Sequence, residues 1–255
     1  MFNQSRALPF KLEEMALSKK LMRWYFNFIY NPLYDLAVAP ISPYQRFQEE
    51  CIGKLQYRSG DSILCVGVGT GNEIPRIIKR NRDLHIVGLD ASPSALLRAH
   101  KKAMRHGVKI TTVQMDAHKI EFADESFDTV LCVHVMGFLE DDKKATREIM
   151  RVLKRGGQFV ITYPSGSGSV KLAGEIARSI WHDLRSGHCF KAAKQFFSTL
   201  LSSLVYAPGA SWVKPRQGFY SRNSLKDLLD NAGNIDYHID DDEIYQDFIV
   251  YGHKK

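Results

Sequence analysis

The sequence predicts an α/β protein with a mainly parallel sheet of seven strands and helices on both faces. Three observations predict it. Between positions 62 and 163, short apolar runs alternate five times with segments of helical periodicity, the order of a parallel sheet with crossover helices. The first run, Ser62 to Val66, breaks into glycines at alternate positions, Gly67, Gly69 and Gly71, and then enters the helical stretch Ile74 to Arg80. The second run begins at His85 and ends on Asp90, nineteen residues after Gly71.

The glycine stretch reads as strand, tight turn and helix start. Glycine suits it because the backbone there takes conformations closed to other residues and because a ligand can lie against bare main chain. Asp90 closes the second strand with a carboxylate suited to both hydroxyls of a ribose, so the pair reads as a nucleoside-binding βαβ unit. The dinucleotide spacing G-x-G-x-x-G would need glycine at position 72, where the chain has Asn72; its third glycine comes one residue earlier.

In chain order, residues 11–30 read as a helix with apolar positions Leu12, Met15, Met22, Phe26 and Ile29 among Lys11, Lys19, Lys20 and Arg23. Its aromatic cluster, Trp24, Tyr25, Phe26 and Phe28, either packs over the pocket or dips into a bilayer interface. Residues 1–42 are accordingly an N-terminal helical segment covering the pocket or facing a membrane, and 43–255 the main domain. Tyr30 to Asp35 reads as a turn, and Pro43 to Leu55 as a helix leading into the first strand. After Asp90, Ser92 caps a helix with Pro93 in its first turn; it runs to Arg105, and Gly107 ends it. Strand three, Ile110 to Met115, finishes on Asp116 and Ala117, where a carboxylate either receives an adenine amino group or makes its own turn. An acidic turn, Phe122 to Asp128, precedes strand Thr129 to Val135. Helix Asp141 to Leu153 then closes on Lys154-Arg-Gly-Gly157, and strand five is Gln158 to Tyr163.

Residues 165–218 depart from this rhythm. Ser165-Gly-Ser-Gly-Ser169 reads as a flexible link. Ala173, Ile176, Ala177, Ile180, Trp181 and Leu184 form one helical stripe, and Phe190, Ala193, Phe197, Leu200, Leu201 and Leu204 a second, with Gly187 between. The spacing predicts an inserted helical hairpin that sits over the pocket as a lid. Ser221 to Ser224 caps a helix to Asn231, and Asp236 to Ile239 and Asp247 to Tyr251 are the closing strands.

The net charge of +7 is concentrated. Between positions 165 and 222, eight basic residues (Lys171, Arg178, Arg185, Lys191, Lys194, Lys214, Arg216, Arg222) stand against Glu175 and Asp183. Such a patch either attracts an anionic membrane surface or an acidic substrate or is a solvated helix face, and no nucleic-acid module accompanies it. Cys51, Cys65, Cys132 and Cys189 are scattered with no C-x-x-C pair, which suggests the reduced thiols of a cytoplasmic protein. No cleavable signal peptide is visible. The best spanning candidate, Leu21 to Ala39, is interrupted by Arg23, Asn27, Asn31, Pro32 and Asp35, so the expected membrane contact is peripheral, at the inner face.

Together, Ile63 to Gly71, Val87 to Ser92, Met115-Asp-Ala117, Phe127 to Leu131 and Arg151 to Gly157 resemble the class I S-adenosylmethionine (SAM)-dependent methyltransferases, across about residues 35–163. The closing Tyr220 to Gly233 is similar to the ubiquinone/menaquinone-biosynthesis members. The resemblance implies a Rossmann-like fold, SAM as cofactor and a small, lipophilic acceptor, of quinone type or otherwise aromatic or prenylated. It implies that Gly67, Gly69 and Gly71 pass beneath the methionine part, that Asp90 holds the ribose, and that Val66, Thr70 and Ala91 also contact the cofactor. Asp116 and Ala117 would meet the adenine, and Val133 and His134 would line the sulfonium end.

One position departs: the family has Asp or Glu two residues before the first glycine, and this chain has Cys65. Two alternatives to a quinone-type methyltransferase stand beside it, the first on the basic segment and amphipathic start, the second on Cys65. One is an N-methyltransferase of phospholipid head groups, and the other a non-catalytic or chemically altered member of the fold. No His/Asp/Glu spacing argues for a metal. Candidate general bases are His134, Tyr34 and Tyr163, with Asp35, His182 and His188 behind them. His134 is equally readable as a pocket-lining histidine, and Tyr163 as packing at a strand end.

Overall fold

The structure, a computed structural model, describes residues 20–22, 24–166, 170–209, 218–242, 244–245 and 247–255. The start of the 11–30 helix, part of the 165–169 link, and Lys214 and Arg216 lie outside the described residues. The strands are β1 (Ser62–Val66), β2 (His85–Asp90), β3 (Thr111–Gln114), β4 (Phe127–Cys132), β5 (Leu153–Pro164), β6 (Ile235–Asp242) and β7 (Asp247–Lys254). The helices are α1 (Asn31–Ala37), α2 (Ser42–Gly53), α3 (Ile74–Arg80), α4 (Pro93–Arg105), α5 (Asp142–Val152), α6 (Val170–Arg185), α7 (Cys189–Gly209) and α8 (Arg222–Asp230). The strands form one mainly parallel seven-stranded sheet, as the sequence predicts; its order is β3-β2-β1-β4-β5-β7-β6, with β7 antiparallel between β5 and β6.

The central strand shows why the sheet is two-faced. Ile63 and Cys65 of β1 pack with Phe47 and Ile52 of α2, Ile77 of α3 and Ala99 of α4. Leu64 and Val66 point the other way, toward Ile149 of α5 and Leu225 and Leu229 of α8. A strand covered on both faces needs an unbroken apolar run, and β1 is one. Side chains cap the helices as expected: Ser92 Oγ accepts the Ala95 N–H at 3.3 Å, and Ser221 and Ser224 form a reciprocal capping box.

Four expectations need correction. Tyr30 to Asp35 is helical rather than a turn. Pro32 sits in the first turn of α1 with no N–H to give, and the preceding turn, Phe26–Tyr30, widens to a π-helix in which the Asn31 N–H reaches Phe26 O. Strand β4 ends at Cys132 rather than Val135, because His134 takes φ +57° and turns the chain away. Lys154 to Gly157 does not close a helix. β5 already pairs at Leu153 with Phe127 and resumes at Gln158 opposite Thr129, so those residues form a bulge held by Lys154 Nζ on Asp128, 2.8 Å.

The fourth correction concerns the hairpin α6–α7. Both helices form, but their apolar stripes mostly face outward: Phe190 is 85% exposed, Phe197 66% and Leu204 64%. The inward face of α7 carries Ala192, Gln195 and Ser198. Ser198 Oγ donates to Leu36 O and Ser202 Oγ to Ala37 O, both at 2.7 Å, which satisfies carbonyls at the end of α1 that the helix itself leaves open. The hairpin therefore braces α1 and α2 from behind.

Replacing Ser221 by Ala removes one partner of the capping box at α8. Urea unfolding should show a loss of about 1 kcal/mol.

Candidate functional site

A cavity of about 870 Å³ opens at the carboxyl ends of β1, β2 and β4, the point where strand order reverses, and its size is that of a ligand pocket. The glycine loop forms its floor. Gly67, Gly69 and Gly71 all have positive φ, +64°, +52° and +77°. A Cβ on Gly71 would lie 2.9 Å from the Ala99 backbone, whereas one on Gly69 would make only an ordinary 3.9 Å contact with Gly67 O. Gly71 thus lets α4 approach, and Gly69 borders the cavity.

The Gly69 N–H donates to Asp90 Oδ2 at 2.9 Å and the Ser92 N–H to Asp90 Oδ1 at 2.8 Å. Burial raises the Asp90 carboxyl above its ordinary range, against these bonds. Ala91, Asp116, Ala117 and Val133 also line the cavity. Asp116 makes its own turn: the His118 N–H donates to Oδ1 at 2.9 Å, and the His118 ring meets the same oxygen. Burial pushes the Asp116 carboxyl up, but these His118 bonds outweigh it and hold the group low.

The cover comes from the N-terminal segment. Phe26, Asn27, Tyr30, Asn31 and Tyr34 line the cavity, while no described residue of the hairpin does. Asn31 Nδ2 donates to Ser92 Oγ at 2.8 Å, and Ser92 Oγ donates to Asn27 Oδ1 at 2.6 Å. On the loop side, Thr70 Oγ1 donates to Asp35 Oδ1 at 2.6 Å, and Lys102 Nζ reaches both Asp35, at 3.0 Å, and Asn72 Oδ1. Asp35 is therefore a tie between cover and loop. Tyr34 borders the cavity with its hydroxyl 3.3 Å from that of Tyr44.

His134 lies just past β4 at the cavity wall. Its Nδ1 is 3.0 Å from Asp247 Oδ2, its backbone N–H donates to Thr162 Oγ1 at 2.8 Å, and its ring stacks on Phe47 and Tyr44. Its Nε2 is buried without a hydrogen-bond partner, as are Glu73 Oε2 and Gln48 Oε1, and all three residues line the cavity.

Tyr163 is a correction: it is fully buried, its hydroxyl pairs with Thr146 Oγ1 at 2.8 Å, and it borders the core rather than the cavity. Burial pushes its hydroxyl far above the usual tyrosine range. Val66 also faces the core, and His182 and His188 sit exposed on the hairpin. Asn31, Tyr44, Gln48, Glu73 and Lys102 were not singled out by the sequence reading. A polar Gln48 on the buried face of α2, among Tyr44, Phe47 and Cys51, is the one signal that points to this set.

Residues 64–161 match the family model described as a methyltransferase domain. The phosphatidylethanolamine N-methyltransferase of Cereibacter sphaeroides is 30% identical over 59% of this chain and 68% of its own. The chain belongs to the class I SAM-dependent methyltransferases. SAM is the family's methyl donor, and the methyltransferase is similar to others at lower coverage. The chloroplastic 2-methyl-6-phytyl-1,4-hydroquinone methyltransferase 1 of Oryza sativa subsp. japonica is 27% identical over 63% of this chain and 48% of its own. The chain spans about two thirds of the first relative's length and about half of the second's. A crystal structure of a SAM-dependent methyltransferase from Aquifex aeolicus shares the fold, with TM-score 0.54 and 16% identity over 87% of this chain and 92% of that one.

The two loop glycines predict different costs. Gly69→Ala should lose about 1 kcal/mol from its left-handed backbone alone. Gly71→Ala adds a clash with α4 and should lose about 1–3 kcal/mol more. Urea midpoints for the two variants check the order.

Proposed function

We propose that this methyltransferase binds SAM in the cavity and methylates a lipophilic small molecule drawn from an anionic membrane surface. The observation that carries this reading is the outward face of the hairpin. Phe190, Phe196, Phe197, Leu200 and Leu204 of α7 are all exposed, opposite the small and polar residues that grip α1. Trp181 of α6 is exposed beside Arg185, which lies over its ring. Lys171, Arg178, Lys191 and Lys194 are exposed on the same two helices. Aromatic and leucine side chains with a basic rim match the interface of an anionic bilayer, where a solvated helix would turn such residues inward. Among the described residues no helix is long and apolar enough to cross a membrane.

The cavity residues suit the cofactor. Each oxygen of Asp90 keeps a lone pair beyond its backbone bond for a ribose hydroxyl. Both His118 contacts of Asp116 fall on Oδ1, leaving Oδ2 for the adenine amino group beside Ala117. Gly67, Gly69 and Thr70 supply the floor, with Ala91 and Val133 at the sides. Bound SAM supplies a methyl group already activated by its sulfonium charge.

The protein's part is positioning and exclusion of water, worth up to about 7–11 kcal/mol in favourable systems. The aromatic cover of Phe26, Tyr30, Tyr34 and Phe138 gives a ring-bearing acceptor an apolar seat. Asp247 fixes the proton of His134 on Nδ1, which leaves Nε2 to take the proton of the acceptor's hydroxyl or amine. Tyr34 steadies this wall through Tyr44. A second reading, methylation of a head-group amine, is favoured by the phosphatidylethanolamine N-methyltransferase relative.

With labelled SAM and anionic vesicles carrying extracted lipids, label should enter the organic phase, and mass analysis of the product separates ring from head-group methylation. Label confined to protein or nucleic acid contradicts the proposal. The double variant Phe190→Ser, Phe197→Ser should lose at least tenfold in vesicle binding at unchanged affinity for S-adenosylhomocysteine. His134→Asn should lower kcat about 10²–10⁴-fold with cofactor affinity within threefold.

A further inference from the structure

The position on β1 where the family carries an acid holds Cys65, which is 2% exposed. Burial, and after it the charge of Glu73, raises this thiol far above its ordinary range and keeps it neutral. The cofactor's methionine part carries an ammonium, and β1 offers it no carboxylate.

A carboxylate stands nearby on a different element. Glu73 immediately precedes α3, is 9% exposed and lines the cavity. Its Oε1 accepts from Gln48 Nε2 at 3.2 Å, while its Oε2 and the Gln48 Oε1 are both buried without a partner. Both orphans are acceptors, and a buried acceptor left unpaired costs about 1–3 kcal/mol, more when it is charged. The nearby Lys102 ammonium is already bound to Asp35 and Asn72, and the His134 ring holds Asp247 through Nδ1. What the pair lacks is a donor-rich cation, and an ammonium has three N–H donors and no acceptor.

We propose that Glu73, together with Gln48, takes over the role of the missing β1 acid and binds the ammonium of the methionine part of SAM. The inference rests on the reading of the cavity as the SAM site. The acid has moved from strand to helix start, so the loss at Cys65 is a relocation rather than the mark of a dead site. Selectivity follows: Glu73 discriminates ligands by their amino-acid part and is indifferent to their adenosine part.

The test is calorimetric titration of the full chain with S-adenosylhomocysteine and with 5′-deoxy-5′-methylthioadenosine, which has the nucleoside and thioether but no amino-acid part. Glu73→Gln should weaken S-adenosylhomocysteine at least tenfold and leave methylthioadenosine within twofold. Gln48→Leu should show the same selectivity at smaller size, and Cys65→Asp added to Glu73→Gln should recover part of the loss. Equal weakening of both ligands, or no change in either, overturns the proposal. If the unaltered protein binds neither, the cofactor reading fails and this inference with it.

Discussion

Gly71 and Ala99 approach so closely that a single methyl group would not fit between loop and helix, and much of the site follows from that contact. It draws α4 against the end of β1, which brings Lys102 beside Asn72 and Asp35 and sets Ser92 next to Asp90. The same turn aims the Gly69 N–H at Asp90. Floor and wall of the cavity are therefore fixed by main-chain geometry, which side-chain rotation cannot undo.

The N-terminal segment is joined to that frame at two points, Asn27 and Asn31 on Ser92, and Asp35 on Thr70 and Lys102. The hairpin then secures the far end of α1 through Ser198 and Ser202. Each attachment is polar, and individually such bonds contribute about 0.5–1.5 kcal/mol. The buried atoms of Glu73, Gln48 and His134 that have no partner within the protein carry the opposite sign, since an unpaired buried polar group costs stability.

The fold was legible because strands buried on both faces, glycines with positive φ and serine caps each leave a local pattern. Asp90, Ala117 and Val133 lie where the motif order puts them, at the strand ends around the cavity. Three features were not legible, each for a reason. Periodicity marks an apolar stripe on α6 and α7 but is silent about whether core or exterior receives it, so the hairpin was read as a lid. Tyr163 alternates correctly along β5, yet the face it occupies belongs to the Thr146 side of the sheet rather than the cavity. Gln48 on α2 and Glu73 just before α3 are 25 positions apart, and only tertiary packing joins them.

Asp35 ties the cover to the glycine loop in this structure, and hydrogen exchange with and without S-adenosylhomocysteine tests most directly whether the two respond to the ligand as one unit. Amides of 24–37 and of 66–72 should slow together on binding, by comparable factors. Slowing of 66–72 with 24–37 unchanged would show that the segment does not close over the cofactor.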